Sequence, residues 1–339
     1  MRFLFCSLLI VAACFWAGAC YALDAVKFAT NWKAEAEHGG FYQALADGTY
    51  KRYGLDVTIL QGGPLVNNRA QLAVGRIEFL MGSNLIQSFD AIKQGLPSVV
   101  IAGFFQRDVQ CLISHPGQGR DRWEDLKTAR LLIGATGKQT YYRWLQSAHD
   151  FPSRGIRTYT FSLAPFLADK NLVQQGYMSA EPLTIAKVTG TEPNVFLLAD
   201  YGWSTYSTLL VTRRKYADEN PDIVQRFVDA SILGWVNYLY GDPSLAHAAI
   251  RRENREMTDE QLKFSRQKMI ERGIVDSGDT LTKGIGALSQ ERVNDFHSKM
   301  VAAGLYKPGE VDLSQVCRFE FVNKGVGVEE KAQLVGSGK

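Results

Sequence analysis

The sequence predicts an α/β protein of two lobes, each a doubly wound sheet. Strand-like and helix-like segments alternate in two successive series, and the 339-residue chain is longer than one hydrophobic core ordinarily organises. After Asn220-Pro221 the strand patterns stop and apolar positions recur at three- and four-residue spacing, which reads as helix.

The first residues set the compartment. Arg2 precedes an apolar run over 3–19, and small residues lead to Cys20-Tyr21-Ala22, so residues 1–22 are expected to be a secretory signal peptide. A retained anchor helix is the alternative, but the run barely reaches the ~20 residues a span needs. The boxes Ala17-Gly18-Ala19-Cys20 and Val11-Ala12-Ala13-Cys14 are similar to those at which bacterial lipoproteins are acylated, so a lipid anchor on Cys20 or Cys14 is a variant of the same reading.

In the first series, residues 25–32 are rich in strand formers, 40–53 read as a helix, and 55–61 alternate apolar and polar before a Gly-Gly-Pro turn. A helix over 66–74, a strand over 78–82, a helix over 85–94 and an apolar strand over 98–105 follow. The second series has strands over 109–114, 131–135, 158–161 and 194–199, with a helix over 138–149. Helices are expected over 223–240, 244–252 and 259–272. The last dozen residues, rich in Gly, Lys and Glu, are expected to fray.

Composition excludes several classes. Lys and Arg number 38 against 35 Asp and Glu, a formal charge of +3, and loss of Arg2 with the leader leaves +2. No net field or basic cluster draws the chain to nucleic acid or an anionic membrane. Three of the five cysteines lie in the leader, leaving Cys111 and Cys317 as one disulfide or two buried thiols. Nothing has metal-ligand spacing. A structural or adhesive secreted protein would show repeats or a dense cysteine framework, and neither is present.

The stretch Asn31-Trp32-Lys33-Ala34-Glu35-Ala36-Glu37-His38-Gly39-Gly40-Phe41-Tyr42-Gln43-Ala44, continuing through Gly48, Tyr50 and Tyr53-Gly54-Leu55-Asp56-Val57, resembles the solute-binding proteins of nitrate, taurine and sulfonate ABC importers. Within them it is most similar to the branch that binds the pyrimidine precursor of thiamin. Further matching passages are 79–82, 134–138, 175–182 and 207–213, in the family's order over most of the chain past the leader. The resemblance implies a periplasmic-binding-protein fold of type II-like topology, with two lobes joined by two crossing strands and the ligand in the cleft. By analogy the first lobe takes 23–105 plus 206–339 and the second takes 106–205. It also implies a periplasmic location, a small-molecule ligand, an inner-membrane ABC permease as partner, a monomer, and no cofactor.

Candidate ligand-binding residues follow. Trp32, ending the first strand beside Asn31, either lies flat against a planar ring while the amide bonds its edge, or packs in the core. His38, before Gly39-Gly40, either faces the cleft at a helix entry, with the glycines admitting a ligand to the backbone, or makes an internal hydrogen bond. Tyr42 stands one turn further along. Gly134 to Thr140 form a strand–turn–helix start whose free N–H groups suit an anion or polar oxygen, which makes Gly137, Lys138 and Gln139 candidates; as a P-loop it fails, because the second Gly comes too soon and no Ser or Thr follows Lys138. One of Tyr141 and Tyr142 is expected to face the cleft. By the resemblance, Glu181 before Pro182 is the partner of an aminopyrimidine's N–H groups, its alternative being a solvated loop carboxylate. Tyr201-Gly202-Trp203 sits near the second crossing and offers another aromatic face at Tyr201 or Trp203.

The same branch includes a eukaryotic pyrimidine-forming enzyme that holds pyridoxal phosphate on a Lys, with a His one turn later. Aligned on Met81-Gly82, those positions are Asn84 and Ser88 here, and neither forms a Schiff base or supplies an imidazole. The enzyme's cysteine run before the strand at 207–212 is replaced by Tyr201, Gly202, Trp203 and Ser204. The expectation is a receptor without catalysis, with Asn84 kept as a cleft-facing candidate.

Overall fold

The computed structural model describes residues 22–63 and 66–337, so the signal peptide expected over 1–22, with Cys14 and Cys20, lies outside the described residues except for Ala22. Ten strands form two five-stranded sheets: β1 (Asp24–Ala29), β2 (Leu55–Leu60), β3 (Phe79–Asn84), β4 (Ser98–Phe105) and β10 (Ser207–Arg213) in the first, and β5 (Gln110–Ser114), β6 (Arg130–Ile133), β7 (Ile156–Thr158), β8 (Leu172–Tyr177) and β9 (Asn194–Leu197) in the second. The spatial orders are β2-β1-β3-β10-β4 and β7-β6-β8-β5-β9. In each sheet the antiparallel strand is the one by which the chain arrives from the other lobe. β10 runs against β3 and β4, and β5 against β8 and β9. The α/β two-lobed class read from the sequence is the class found.

The first core is aromatic. Phe28 contacts Phe41 and Phe227, Phe227 stacks on Phe79, and Phe104 packs with Trp235. Helix Pro221–Tyr240 opens with Pro at its first position, where no N–H is needed, and lies on helix Gly39–Ala46. The approach is close: a Cβ on Gly39 would stand 2.2 Å from the Tyr238 ring, and one on Gly40 2.2 Å from the Trp235 indole. These glycines therefore admit a helix, and the expected role of admitting a ligand is corrected.

Three other expectations change. The helix expected over 40–53 is two, Gly39–Ala46 and Thr49–Arg52, because Gly48 takes φ 78°. The helix over 138–149 is broken at Thr140 into Ala135–Gln139 and Tyr141–His149. The tail does not fray: Val328–Ser337 is a helix, and Lys331 Nζ reaches Asp276 Oδ2 at 2.6 Å. Cys111 in β5 and Cys317 beside β4 are both buried and free, on different sheets. Burial holds both thiols protonated, Cys317 up to about 12.

The C-terminal helices bind both lobes and the crossings between them. Arg292 donates to the Gln106 carbonyl on the first crossing and to the Ser204 and Thr205 carbonyls on the second, at 2.9 and 3.2 Å. Its guanidinium lies 4.0 Å from the centroid of the Tyr206 ring. Helix Asp259–Glu271 meets the second lobe through Gln261 Nε2 and Ser265 Oγ, which donate to the Ser179 carbonyl at 3.0 and 2.6 Å.

Candidate functional site

A pocket lies between the lobes where strand ends converge. The first lobe contributes Asn31 after β1, Glu35 and Glu37 before helix Gly39–Ala46, Met81, Ser83 and Asn84 from β3, Phe105 from β4, and Ser207 and Thr208 from β10; the second contributes Asp108, Val109, Gln110, Tyr141 and Tyr177. Strand ends place these groups at the cleft because both sheets point them there, the usual location of ligands in open α/β sheets.

The pocket is acidic without compensation. Its lining holds Glu35, Glu37 and Asp108 and no Lys or Arg. Burial raises Glu35 well above the carboxylate range, with Glu37 and Glu181 adding repulsion. Burial also raises Glu37 against the Ser179 hydroxyl bond, and Asp108 against its bonds from the Gln110 N–H at 3.0 Å and Trp203 Nε1 at 3.1 Å. Glu181 stands directly behind Tyr177, accepting its N–H at 2.7 Å, and burial pushes its carboxyl up to about 7. His38 offers no counter-charge: burial lowers it to about 3, so the ring is neutral, with Nε2 3.2 Å from Asn31 Oδ1 and 3.6 Å from Glu35 Oε1.

Two features at β10 complete the lining. Ser207 is 6% exposed and its hydroxyl has no hydrogen-bond partner. Thr208 beside it takes φ 48°, a left-handed conformation that a β-branched residue adopts at a cost of roughly 1–3 kcal/mol. The unsatisfied hydroxyl and the strained residue are neighbours in the pocket wall.

Of the candidates named from sequence, Asn31, Asn84 and Tyr141 line this pocket. Asn84 also caps helix Leu85–Lys93, accepting from the Ile86 N–H at 3.2 Å, and Tyr141 Oη donates to Gln175 Oε1 at 2.8 Å. Trp32 is half-buried and not among the lining residues; its ring lies 5.6 Å from that of Phe161 of the second lobe. Glu181 and His38 form the layer behind the lining. Glu181 opens helix Glu181–Thr189 and is not a loop residue. Gly137 lies under Tyr141, where a Cβ would stand 2.7 Å from the phenol oxygen, and buried Trp203 supports Asp108.

The others lie elsewhere. Tyr42 is wholly buried and donates to Glu253 Oε2 at 2.7 Å, away from the lining. Lys138 Nζ donates to Thr158 Oγ1 at 2.9 Å, and Gln139 is exposed. Because the Gly134 N–H is taken by Gln175 Oε1 at 2.6 Å, the turn at 134–140 offers one N–H fewer than the sequence suggested. Tyr201 stacks on Trp123, centroids 3.7 Å apart, inside the second lobe. Sequence reasoning passed over Glu35, Glu37, Asp108, Tyr177, Ser207 and Thr208. The Glu35-x-Glu37 spacing beside His38 was the available signal.

Two α/β lobes around an inter-lobe pocket define the fold class of periplasmic binding proteins, and solved structures agree. The ligand-binding component of an ABC-type import system from Staphylococcus aureus, with zinc bound, superposes with TM-score 0.64 at 10% identity, covering 90% of this chain and 99% of that one. A putative sulfonate ABC transporter's periplasmic sulfonate-binding protein, SsuA from Methylobacillus flagellatus, gives 0.62 at 14%, covering 93% and 97%. The desulfurization enzyme DSZB gives 0.54 at 12%, covering 93% and 100%, so the fold hosts catalysis as well as binding. The NMT1/THI5-like family profile matches residues 35–246, more than half of the chain. The chain belongs to the NMT1/THI5-like family. A sequence search of curated proteins finds no significant match.

Proposed function

We propose that the chain is an extracytoplasmic solute receptor of an ABC importer, and that its ligand is an amine-bearing heteroaromatic of the aminopyrimidine type, the thiamin pyrimidine precursor being the best fit. The observation that carries this reading is the charge of the pocket. Several carboxylates converge where no Lys or Arg lines the wall, and the buried Ser207 hydroxyl among them has no partner. The wall offers nitrate or a sulfonate no cationic partner, whereas amino N–H groups or a ring cation would find acceptors. Tyr141 and Tyr177 in the wall, and the Trp32–Phe161 ring pair between the lobes, offer aromatic faces for a planar ring.

In this reading Trp32 covers one face of the ring, Asn31, Asn84 and Ser207 bond its edge, and Glu35, Glu37 and Glu181 balance its charge. The absence of lysine and cysteine from the lining favours capture over covalent chemistry. The leader over 1–22 would carry the chain to the periplasm, where it acts as a monomer and hands the ligand to an inner-membrane permease. Mass spectrometry of the small molecule released from purified protein, followed by titration of that compound, tests the proposal. An aminopyrimidine supports it. Release of a sulfonate or nitrate, or turnover of the bound compound, overturns it.

A further inference from the structure

The second lobe gives the pocket lining one acidic residue, Asp108, which is buried. Its Oδ1 accepts the Gln110 N–H at 3.0 Å and its Oδ2 accepts Trp203 Nε1 at 3.1 Å. Both donors are neutral, and Asp108 has no ion pair among the described residues. Arg107, its neighbour in the chain, is turned onto Asp200. Neutral N–H donors orient a carboxylate without cancelling its charge, and each oxygen has a second lone pair to offer. The charge of Asp108 is therefore aimed but not spent.

The indole that aims it is itself fixed. Trp203 is 1% exposed; its ring meets Phe296 of helix Gln290–Ala302 edge-on at 5.1 Å and lies 5.2 Å from Trp144. It also stands edge-on to Tyr141, another lining residue, at 6.3 Å. One buried side chain thus touches two parts of the pocket wall.

We propose that Asp108 is the second lobe's acceptor for the amino N–H groups of the ligand, alongside Glu35 and Glu37 of the first, and that Trp203 is its positioning residue. The assignment rests on the amine-bearing ligand proposed above, to which it adds a contact from the second lobe.

Calorimetric titration of the thiamin pyrimidine precursor into the full-length mature protein compares wild type, Trp203→Phe, Asp108→Asn and the double variant. Trp203→Phe keeps an aromatic ring and loses the N–H, and weakens binding about tenfold, as loss of a hydrogen bond to a charged group does. Asp108→Asn weakens it at least as much, and adding Trp203→Phe to Asp108→Asn costs little more, because the indole acts through the carboxylate. Undiminished affinity in either single variant overturns the proposal. So does an equal loss from Trp203→Phe in both backgrounds, which packing alone would give. In the ligand-free protein the Trp203 indole N–H resonance, assigned by its loss in Trp203→Phe, moves upfield in Asp108→Asn as its acceptor loses charge; an unmoved resonance overturns the positioning role. If that resonance moves but wild type binds no aminopyrimidine, the ligand reading falls, and with it the acceptor role of Asp108, while the positioning by Trp203 stands.

Discussion

The Ser179 hydroxyl, on the second lobe, donates to the buried Glu37 carboxylate on the first. It is a direct bond across the cleft, and the Ser179 carbonyl is itself held by Gln261 and Ser265. The approach of the two lobes thus rests partly on one hydroxyl. Ser179→Ala leaves Glu37 buried without its donor, an expected loss of about 1–3 kcal/mol. Thermal denaturation should show a lower midpoint, and small-angle scattering a larger radius of gyration. If neither changes, the bond does not latch the lobes.

Trp32 and Glu181 are expected to contribute unequally to ligand affinity. Removing the indole forfeits aromatic contact worth roughly 0.5–1.5 kcal/mol beyond area, whereas Glu181→Ala leaves the Tyr177 N–H without its acceptor, roughly 1–3 kcal/mol, and reaches the ligand through Tyr177. Titration of the thiamin pyrimidine precursor into both variants and Glu181→Gln checks the order. Near-native affinity in Glu181→Ala would remove that carboxylate from the site.

Stability should depend on pH in a direction fixed by Glu181. Its folded carboxyl is held near 7 against an ordinary 4.5, mainly by burial, so the folded chain keeps a proton that the unfolded chain gives up. Ligand-free stability therefore falls as pH rises from about 4.5 to about 7, and the raised Glu35, Glu37 and Asp108 act in the same sense. Denaturant unfolding across that range should show the decline, shallower in Glu181→Gln. A rising profile would contradict it.

Capture of a ring cation should expel protons. Burial holds the Glu181 carboxyl at about 7, so it carries a proton in part of the population near neutrality, and a bound positive charge favours its ionised form. Titrations at pH 6.5 in two buffers of different ionisation enthalpy should give different apparent heats, with net proton release. Equal heats would mean that the carboxyls do not titrate on binding.

Lys138→Ala and Tyr201→Leu should both leave affinity unchanged, for different reasons. Lys138 is turned onto Thr158, and Tyr201 is stacked inside the second lobe. Only Tyr201→Leu should lower the melting midpoint, by stacking worth about 0.5–1.5 kcal/mol. A large affinity loss in Lys138→Ala would restore the anion-binding reading of its turn.

Strands such as β4 were legible in the sequence because apolar runs announce themselves, and the two βα series pointed to the two-lobed class, but β7 (Ile156–Thr158) meets the run expected over 158–161 only at Thr158. Helix ends were less legible, since Gly48 and Thr140 break helices through backbone angles that composition only hints at. In the site, Asn31, Asn84 and Tyr141 were found by position at strand and helix ends. Glu35, Glu37 and Asp108 were not, because an acidic residue is ordinarily solvated and only the fold reveals that these are enclosed. Tyr201 and Trp203, two positions apart, illustrate the limit: one stacks in the second lobe and the other props Asp108, and spacing alone does not separate them.

Arg292 ties the Gln106 carbonyl of one crossing to the Ser204 and Thr205 carbonyls of the other. Two passages of chain that would otherwise bend separately are thereby joined at a single point. A displacement of one passage relative to the other would have to break these bonds, so the two crossings share one mechanical fate.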